Sequence, residues 1–191
     1  MPHYSVNGKL RVEPTSIKDL LLLEPKVFRD ERGWLSESFN ALDFKNATGL
    51  TVNFAQENHS FSKQWTLRGM HYQKNNVQSK LVRVLAGVVF DVVVDLRKAS
   101  PTFGKWAGIE LSAQNNRQLW IPPGLAHGFL VLSKSSEILY KMTDYYHPQS
   151  EVCLAWDDPN IAIGWPLPEG IAPIVSPKDA SGLSWDAVPK F

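Results

Sequence analysis

The sequence predicts an all-β fold, a sandwich or a barrel, and three observations carry the prediction. Strand-like runs follow one another from residue 52 onward, at 52–59, 66–72, 80–85, 88–96, 106–112, 118–121, 127–132, 137–145 and 151–156. Turns containing Gly, Pro, Asn or Ser separate them every ~8–12 residues, the rhythm of sandwiches and barrels. No helical period of the ~10–15 residues needed for a βαβ crossover lies between them.

The elements follow in order. Residues 1–14 form a leader whose first nine residues are polar and contain Gly8, so it is expected to be loose or to dock on a partner. A short strand at 20–24 is closed by Pro25. Arg29-Asp30-Glu31-Arg32-Gly33 is turn chemistry with both signs of charge. Residues 34–39 alternate Trp34, Ser36, Ser38 against Leu35, Glu37, Phe39, the two-residue period of a half-buried strand. A two-turn helix is expected over 41–48, stopped by Gly49. After Asp157-Asp158-Pro159 the chain turns irregular and Pro-rich through Pro177, and the tail at 157–191 is expected to cover the barrel, bringing Lys178 and Asp179 with it. There is no internal repeat. At 191 residues the chain fits one domain spanning 1–191.

Composition excludes several classes of function. Charged residues are 20% and the formal net charge is +1, so no broad cationic field exists for nucleic acid or anionic lipid, and an anionic ligand must be held by a local cluster. The apolar run at 88–96 is far short of the ~18 residues that span a bilayer, and Asp91 and Asp95 interrupt it. The single Cys153 forms no internal disulfide, and Met1-Pro2-His3-Tyr4 lacks a secretory n-region, so a cytoplasmic protein is expected. Five histidines include no His-x-His or His-x-x-x-His pair, and no metal or cofactor is expected. Gly-x-Gly-x-x-Gly loops and a Gly-x-Ser-x-Gly elbow are absent as well.

The densest chemistry is Leu67-Arg68-Gly69-Met70-His71-Tyr72-Gln73, with Lys80 on the next run. A histidine can act as a base when a carboxylate holds its second ring nitrogen, so His71 is a candidate base, although a lone strand histidine is more often packed and hydrogen-bonded. Arg68, three residues away, points to the opposite face of a regular strand, so sharing a side with His71 requires a bulge at Gly69. Lys80 shares its face with Val82 and Val84. Its plain reading is a solvated edge position; if instead it points inward, its ammonium needs a counter-charge, for which Asp91 in Val88-Val89-Phe90-Asp91-Val92-Val93-Val94 is the natural candidate. Tyr140 lies on a face with Ile138, Met142, Asp144 and Tyr146, and a phenol can protonate a carbanion. His127 opens a strand after a Pro-Gly turn, where capping and function are equally open readings.

Many stretches in one order resemble a single family. They include Val27 through Gly33, Glu37-Ser38-Phe39-Asn40, Gln56-Glu57-Asn58-His59-Ser60, Leu67 through Gln73, Lys80 through Val84, Phe90 through Lys98, Ser100 through Gly104, Arg117 through Pro122, Ala126-His127-Gly128-Phe129, Tyr140 through Tyr146 and Trp156 through Pro159. From about residue 15 to Lys178-Asp179 the chain is similar to the dTDP-4-dehydrorhamnose 3,5-epimerases of the cupin superfamily.

The resemblance implies a cupin-type jelly roll with a few short peripheral helices. It also implies cofactor-independent epimerisation of dTDP-4-dehydro-6-deoxy-D-glucose to dTDP-4-dehydro-L-rhamnose, in dTDP-L-rhamnose biosynthesis. The C4 ketone acidifies the hydrogens at C3 and C5. By the same resemblance His71 is the base, steadied by Asp179, Tyr140 is the acid on the opposite face, and Lys80 stabilises the C4 oxyanion. Arg68 and Lys178 match positions for the pyrophosphate, Gln56 and Asn58 for the sugar or its linkage, and Phe28 and Tyr146 for stacking on thymine. Arg32 and Glu37 belong to a segment that reaches into a partner's site, implying a homodimer with a crossing N-terminal region. His127 and Asp91 line the barrel, His127 with the binding set and Asp91 in support. Departures are Ser79 where Gly is more frequent, Met70 where Leu is usual, and bulky Trp65, which is expected to narrow the pocket mouth. A single-centre epimerase and a non-catalytic sugar-binding jelly roll are the competing readings.

Overall fold

The computed structural model describes residues 2–191. The chain begins with β1 (His3–Tyr4), β2 (Leu10–Pro14) and β3 (Leu21–Pro25), then a hairpin of β4 (Val27–Asp30) and β5 (Gly33–Ser36), then helix α1 (Ala41–Thr48). Strands β6 (Gln56–Lys63), β7 (Leu67–Gln73), β8 (Lys80–Ala86) and β9 (Val88–Asp95) follow, and after them β10 (Trp106–Ser112), β11 (Gln118–Ile121), β12 (Leu125–Val131) and β13 (Ser135–Met142). The last elements are β14 (Glu151–Cys153) and the four-residue α2 (Pro177–Ala180).

Antiparallel pairing assembles two facing sheets, β1-β2-β3-β11-β8-β13-β6 and β10-β9-β12-β7-β14, as a jelly roll. Between them lies a core that includes Val82, Val84, Val89, Val93, Leu119, Phe129 and Ile138. β9 shows why the run at 88–96 is apolar at nearly every position. Val89 and Val93 face this core, whereas Val92, Val94 and Leu96 join a second cluster on the outer side with Met70, Tyr72, Ile161 and Val188. Burial on both faces removes the need for a polar side, and each fully buried aliphatic side chain contributes about 1.5–3 kcal/mol.

α1 occupies 41–48 as the sequence predicts. Asn40 caps its start, its side chain accepting from the backbone N–H of Leu42 and Asp43, and Gly49 ends it at φ 76. Phe44 and Ala47 pack with Val12, Leu23 and Trp120 on the outer face of the larger sheet.

Three expectations are corrected. The leader is not loose: β1 and β2 extend the larger sheet, Val12 is buried, and the Asn7 amide donates to both carboxylate oxygens of Asp43 at 2.9 Å. Leu10 and Val12 alternating with Arg11 and Glu13 supply the strand pattern, and Arg11 pairs with Glu13 and Glu24. Residues 34–39 are not a half-buried strand. β5 pairs only with β4 and has no layer to cover it, leaving Trp34 54% and Leu35 72% exposed. The tail, finally, covers mainly the outer face of the smaller sheet, through Ile161, Trp165, Trp185 and Val188. Only its stretch around α2 reaches the barrel opening. Parallel bridges Thr66 to Ile174 and Leu154 to Leu183 hold that stretch at both ends. Asp158 ties the tail to itself by accepting from the N–H groups of Asn160, Ile161 and Trp185. No helix among the described residues is long and apolar enough to cross a membrane.

Candidate active site

β7 and β13 belong to opposite sheets, so His71 and Tyr140 enter the barrel from facing walls. Two adjoining cavities share His71, Lys80 and Tyr140 in their linings. The first adds Gln56, Asn58, Tyr146 and Glu151, and the second adds Arg68, His127, Lys178 and Asp179.

Strand register explains the wall opposite His71. Tyr140 pairs with both Val82 and Asn58, and Met142 pairs with both Lys80 and Gln56. Because side chains alternate across a strand, Gln56, Asn58, Lys80 and Tyr140 project from one face of three adjacent strands. Gln56 and Asn58 are joined by a 2.9 Å hydrogen bond, and the Gln56 carbonyl accepts from the Tyr146 backbone N–H.

The expected bulge is present. β12 pairs His127 with His71 but Phe129 with Arg68, so β7 carries one extra residue between them and Arg68 turns toward the same cavity as His71. Gly69 has φ 131, and a Cβ there would lie 2.5 Å from the Gly128 Cα. Only glycine fits that approach.

His71 Nε2 lies 2.6 Å from Asp179 Oδ1. Burial acts to raise the Asp179 carboxyl, but the hydrogen bond and charge of His71, with donors at Ser176 and the Gly69 backbone, hold it below the usual range. Asp179 is delivered by α2, whose Ser176 cap accepts from the Asp179 N–H.

Lys80 is depressed to about 8, chiefly by burial and against the attraction of Asp91 and Glu151. The expected ion pair with Asp91 is corrected: among the described residues no carboxylate lies within 4.0 Å of the Lys80 ammonium. Both Asp91 oxygens lie 3.0 Å from His127 Nε2 instead, a buried pair whose histidine lines the second cavity. Asp91 therefore acts on Lys80 through its field rather than by contact.

Arg68 donates to Ser62 Oγ at 3.1 Å and stays exposed. Lys178 and the Tyr146 hydroxyl both donate to Glu151. Burial raises the Glu151 carboxyl, yet Lys178 and Tyr146 bring it below its usual range, while the same hydrogen bond raises the Tyr146 phenol. Glu151 escaped the sequence reading, as did Cys153, which pairs with His71 across β14 and β7. A single Glu opening a three-residue strand carries no signal by itself. The ligand atoms of His71, Cys153 and Asp179 lie within 4.8 Å of one another, a grouping that no local spacing displays.

Three expected binding residues are not brought in by this chain. Phe28, Arg32 and Glu37 line neither cavity. Phe28 lies beside Lys26, Arg32 is held by Asp30 at 2.6 Å, and Glu37 is paired with Lys9 at 3.4 Å. Trp65 does not narrow the mouth either. It lines neither cavity, and its backbone bonds to Val131 and Ile174, anchoring the tail.

Residues 14–187 match the sequence profile of dTDP-4-dehydrorhamnose 3,5-epimerase. The chain belongs to the dTDP-4-dehydrorhamnose 3,5-epimerase family. Within this family, the Pseudomonas aeruginosa enzyme is 53% identical over 170 residues, covering 89% of this chain and 93% of that one. The Neisseria gonorrhoeae enzyme is 56% identical over 172 residues, 90% of this chain; the match spans only 51% of that relative's length. Among solved structures, the dTDP-6-deoxy-D-glucose-3,5-epimerase of Legionella pneumophila in complex with dTDP-4-keto-L-rhamnose superposes with a TM-score of 0.89. It is 49% identical, with 94% of this chain and 95% of that one covered.

Proposed function

We propose that the chain catalyses 3,5-epimerisation of dTDP-4-dehydro-6-deoxy-D-glucose to dTDP-4-dehydro-L-rhamnose, with no cofactor, as a cytoplasmic enzyme of dTDP-L-rhamnose formation. The observation that carries this reading is the placement of His71 and Tyr140 on facing walls, with Lys80 beside Tyr140. Epimerisation next to a ketone needs a base on one face of the carbon, an acid on the other, and a cation at the enolate oxygen.

The ring nitrogen of His71 not held by Asp179 takes the proton from C3 or C5. The resulting imidazolium is stabilised by the Asp179 carboxylate at 2.6 Å. The electron pair moves into the C4 carbonyl, whose oxyanion faces the Lys80 ammonium. Tyr140 then delivers its phenolic proton to the opposite face of the same carbon. Proton exchange with solvent restores His71 and Tyr140, and the sequence repeats at the second carbon.

The diphosphate is assigned to Arg68 and Lys178, the cations that line the second cavity besides Lys80. Lys178 exchanges its Glu151 partner for the phosphate when substrate enters. Gln56 and Asn58 orient the sugar, His127 with Asp91 props the wall beside His71, and Tyr146 stacks on thymine.

Phe28, Arg32 and Glu37 are assigned to the site of a second copy. The hairpin that carries Phe28 and Arg32 leaves Phe28, Trp34 and Leu35 exposed, Phe28 and Leu35 paired side by side across its two strands, and large exposed apolar side chains of this kind mark an interface. Trp34→Ser with Leu35→Ser is expected to convert a dimer to a monomer in light scattering and to weaken nucleotide binding; an unchanged dimer would remove this assignment.

Turnover of dTDP-4-dehydro-6-deoxy-D-glucose in deuterated water tests the reaction. Label at both C3 and C5 of the product is expected. Label at one carbon would make it a single-centre epimerase, and no label would leave a sugar-binding protein.

A further inference from the structure

We infer that His71, Cys153 and Asp179 form an inhibitory binding site for Zn²⁺, situated where β14, β7 and the tail meet. Their ligand atoms lie within 4.8 Å of one another, and they arrive from two paired strands and a short helix that the fold holds in place. A nitrogen, a sulfur and a carboxylate oxygen are the donor types that zinc accepts, and three protein ligands leave the fourth tetrahedral position to a water. His71 lines both cavities, so that water has a route in. Thiolate and carboxylate together neutralise the dication, which suits a site where Asp179 is buried and Cys153 half-buried.

Cys153 has no strong competing partner. Its Sγ donates weakly to the Gly69 and Leu154 carbonyls, at 3.6 and 3.7 Å. Burial pushes the thiol up to about 11, so the arriving metal displaces the thiol proton to solvent as the zinc–sulfur bond forms. The His71 to Asp179 separation of 2.6 Å must open by about 1 Å for zinc–nitrogen and zinc–oxygen bonds of about 2.0–2.2 Å to fit. A four-residue helix on a tail segment can give that much.

A metal there takes the Asp179 carboxylate away from the imidazole and places a dication beside it, so His71 can no longer accept a proton. The inhibitory consequence rests on the base role proposed for His71; the binding does not.

The test titrates metal-free wild-type protein with Co²⁺ and then Zn²⁺, alongside Cys153→Ser and Cys153→Ala. Wild type is expected to develop a thiolate-to-cobalt charge-transfer band that Zn²⁺ erases, and both variants are expected to lack it. Zn²⁺ should inhibit wild-type turnover at concentrations about tenfold or more below those needed for either variant, and EDTA should restore activity. Absence of the band, or equal inhibition of all three proteins, would overturn the inference. A band in a protein whose metal-free form has no turnover would keep the site and remove the epimerase reading instead.

Discussion

His71 Nε2 and Asp179 Oδ1 stand 2.6 Å apart although 108 residues separate them in the chain. The contact depends on the tail being fastened at Ile174 and Leu183, so the carboxylate that steadies the base is set by a segment remote from it in sequence. Asp179→Asn keeps the shape but loses the charge that stabilises an imidazolium. It is expected to lower kcat by about 10²- to 10⁴-fold with a small change in KM, as measured by steady-state kinetics.

The same carboxylate gives a pH dependence of stability. Asp179 is held below its usual range in the folded state, so its contribution is present above the ordinary carboxylate pKa and is lost as pH falls through the folded value. Urea midpoints measured down the acid range should fall less steeply for Asp179→Asn than for wild type. An identical acid slope in the two proteins would contradict the pairing.

Lys80 acts in the alkaline range instead. Its ammonium is present below about 8 and lost above it, so turnover should decline as pH rises through about 8. Lys80→Arg, which keeps its charge, should lack that alkaline limb, and Lys80→Met should cost about 10²- to 10³-fold in kcat. In the unfolded chain the lysine returns to 10.5, so between about 8 and 10.5 the unfolded state holds the extra proton and stability gains with pH. Wild type should gain stability relative to Lys80→Met across that window. A constant difference would show that Lys80 is not depressed.

Gly69 is where the backbone shapes the site. An added Cβ would meet the Gly128 Cα at 2.5 Å, and φ 131 is a region that side chains avoid. Gly69→Ala is expected to destabilise the protein by about 1–3 kcal/mol and to lower activity further, because the bulge that aims Arg68 is lost. Chemical denaturation and nucleotide titration measure the two effects separately. Wild-type stability and affinity in this variant would show that the bulge does not depend on glycine.

The strand rhythm expected from residue 52, which the fold begins at Gln56, and the helix at 41–48 are legible because each has a strong local pattern: alternation with turns in the first case, a Gly49 stop in the second. The shared faces of Lys80 with Val82 and Val84 and of Tyr140 with Ile138 and Met142 are legible for the same reason, whereas the inward direction of Lys80 is not. The Gly69 bulge could be anticipated from chemistry, since Arg68 and His71 cannot share a face of a regular strand. What the residues alone could not reveal were partnerships across the fold. Asp91 sits in an apolar strand and demanded a partner, but His127 from the neighbouring strand, not Lys80, supplies it. Glu151 and Cys153 acquire their neighbours only when β14 docks on β7. Some resembling segments prove to be structural: Asp95 accepts from Arg97, Ser100 and Thr102 and closes the turn after β9. The leader was misread because its polar first residues masked the alternation at 10–14.

The division of labour between His71 and Tyr140 is the central claim, and deuterium wash-in at C3 and C5 by His71→Asn and Tyr140→Phe, measured side by side by NMR, tests it most directly. His71→Asn is predicted to abolish wash-in at both carbons. Tyr140→Phe is predicted to retain wash-in while inversion falls by about 10²- to 10⁴-fold, because abstraction continues and delivery to the other face stops. Wash-in at wild-type rates by His71→Asn, or full inversion by Tyr140→Phe, would contradict the assignment of base and acid to the facing walls.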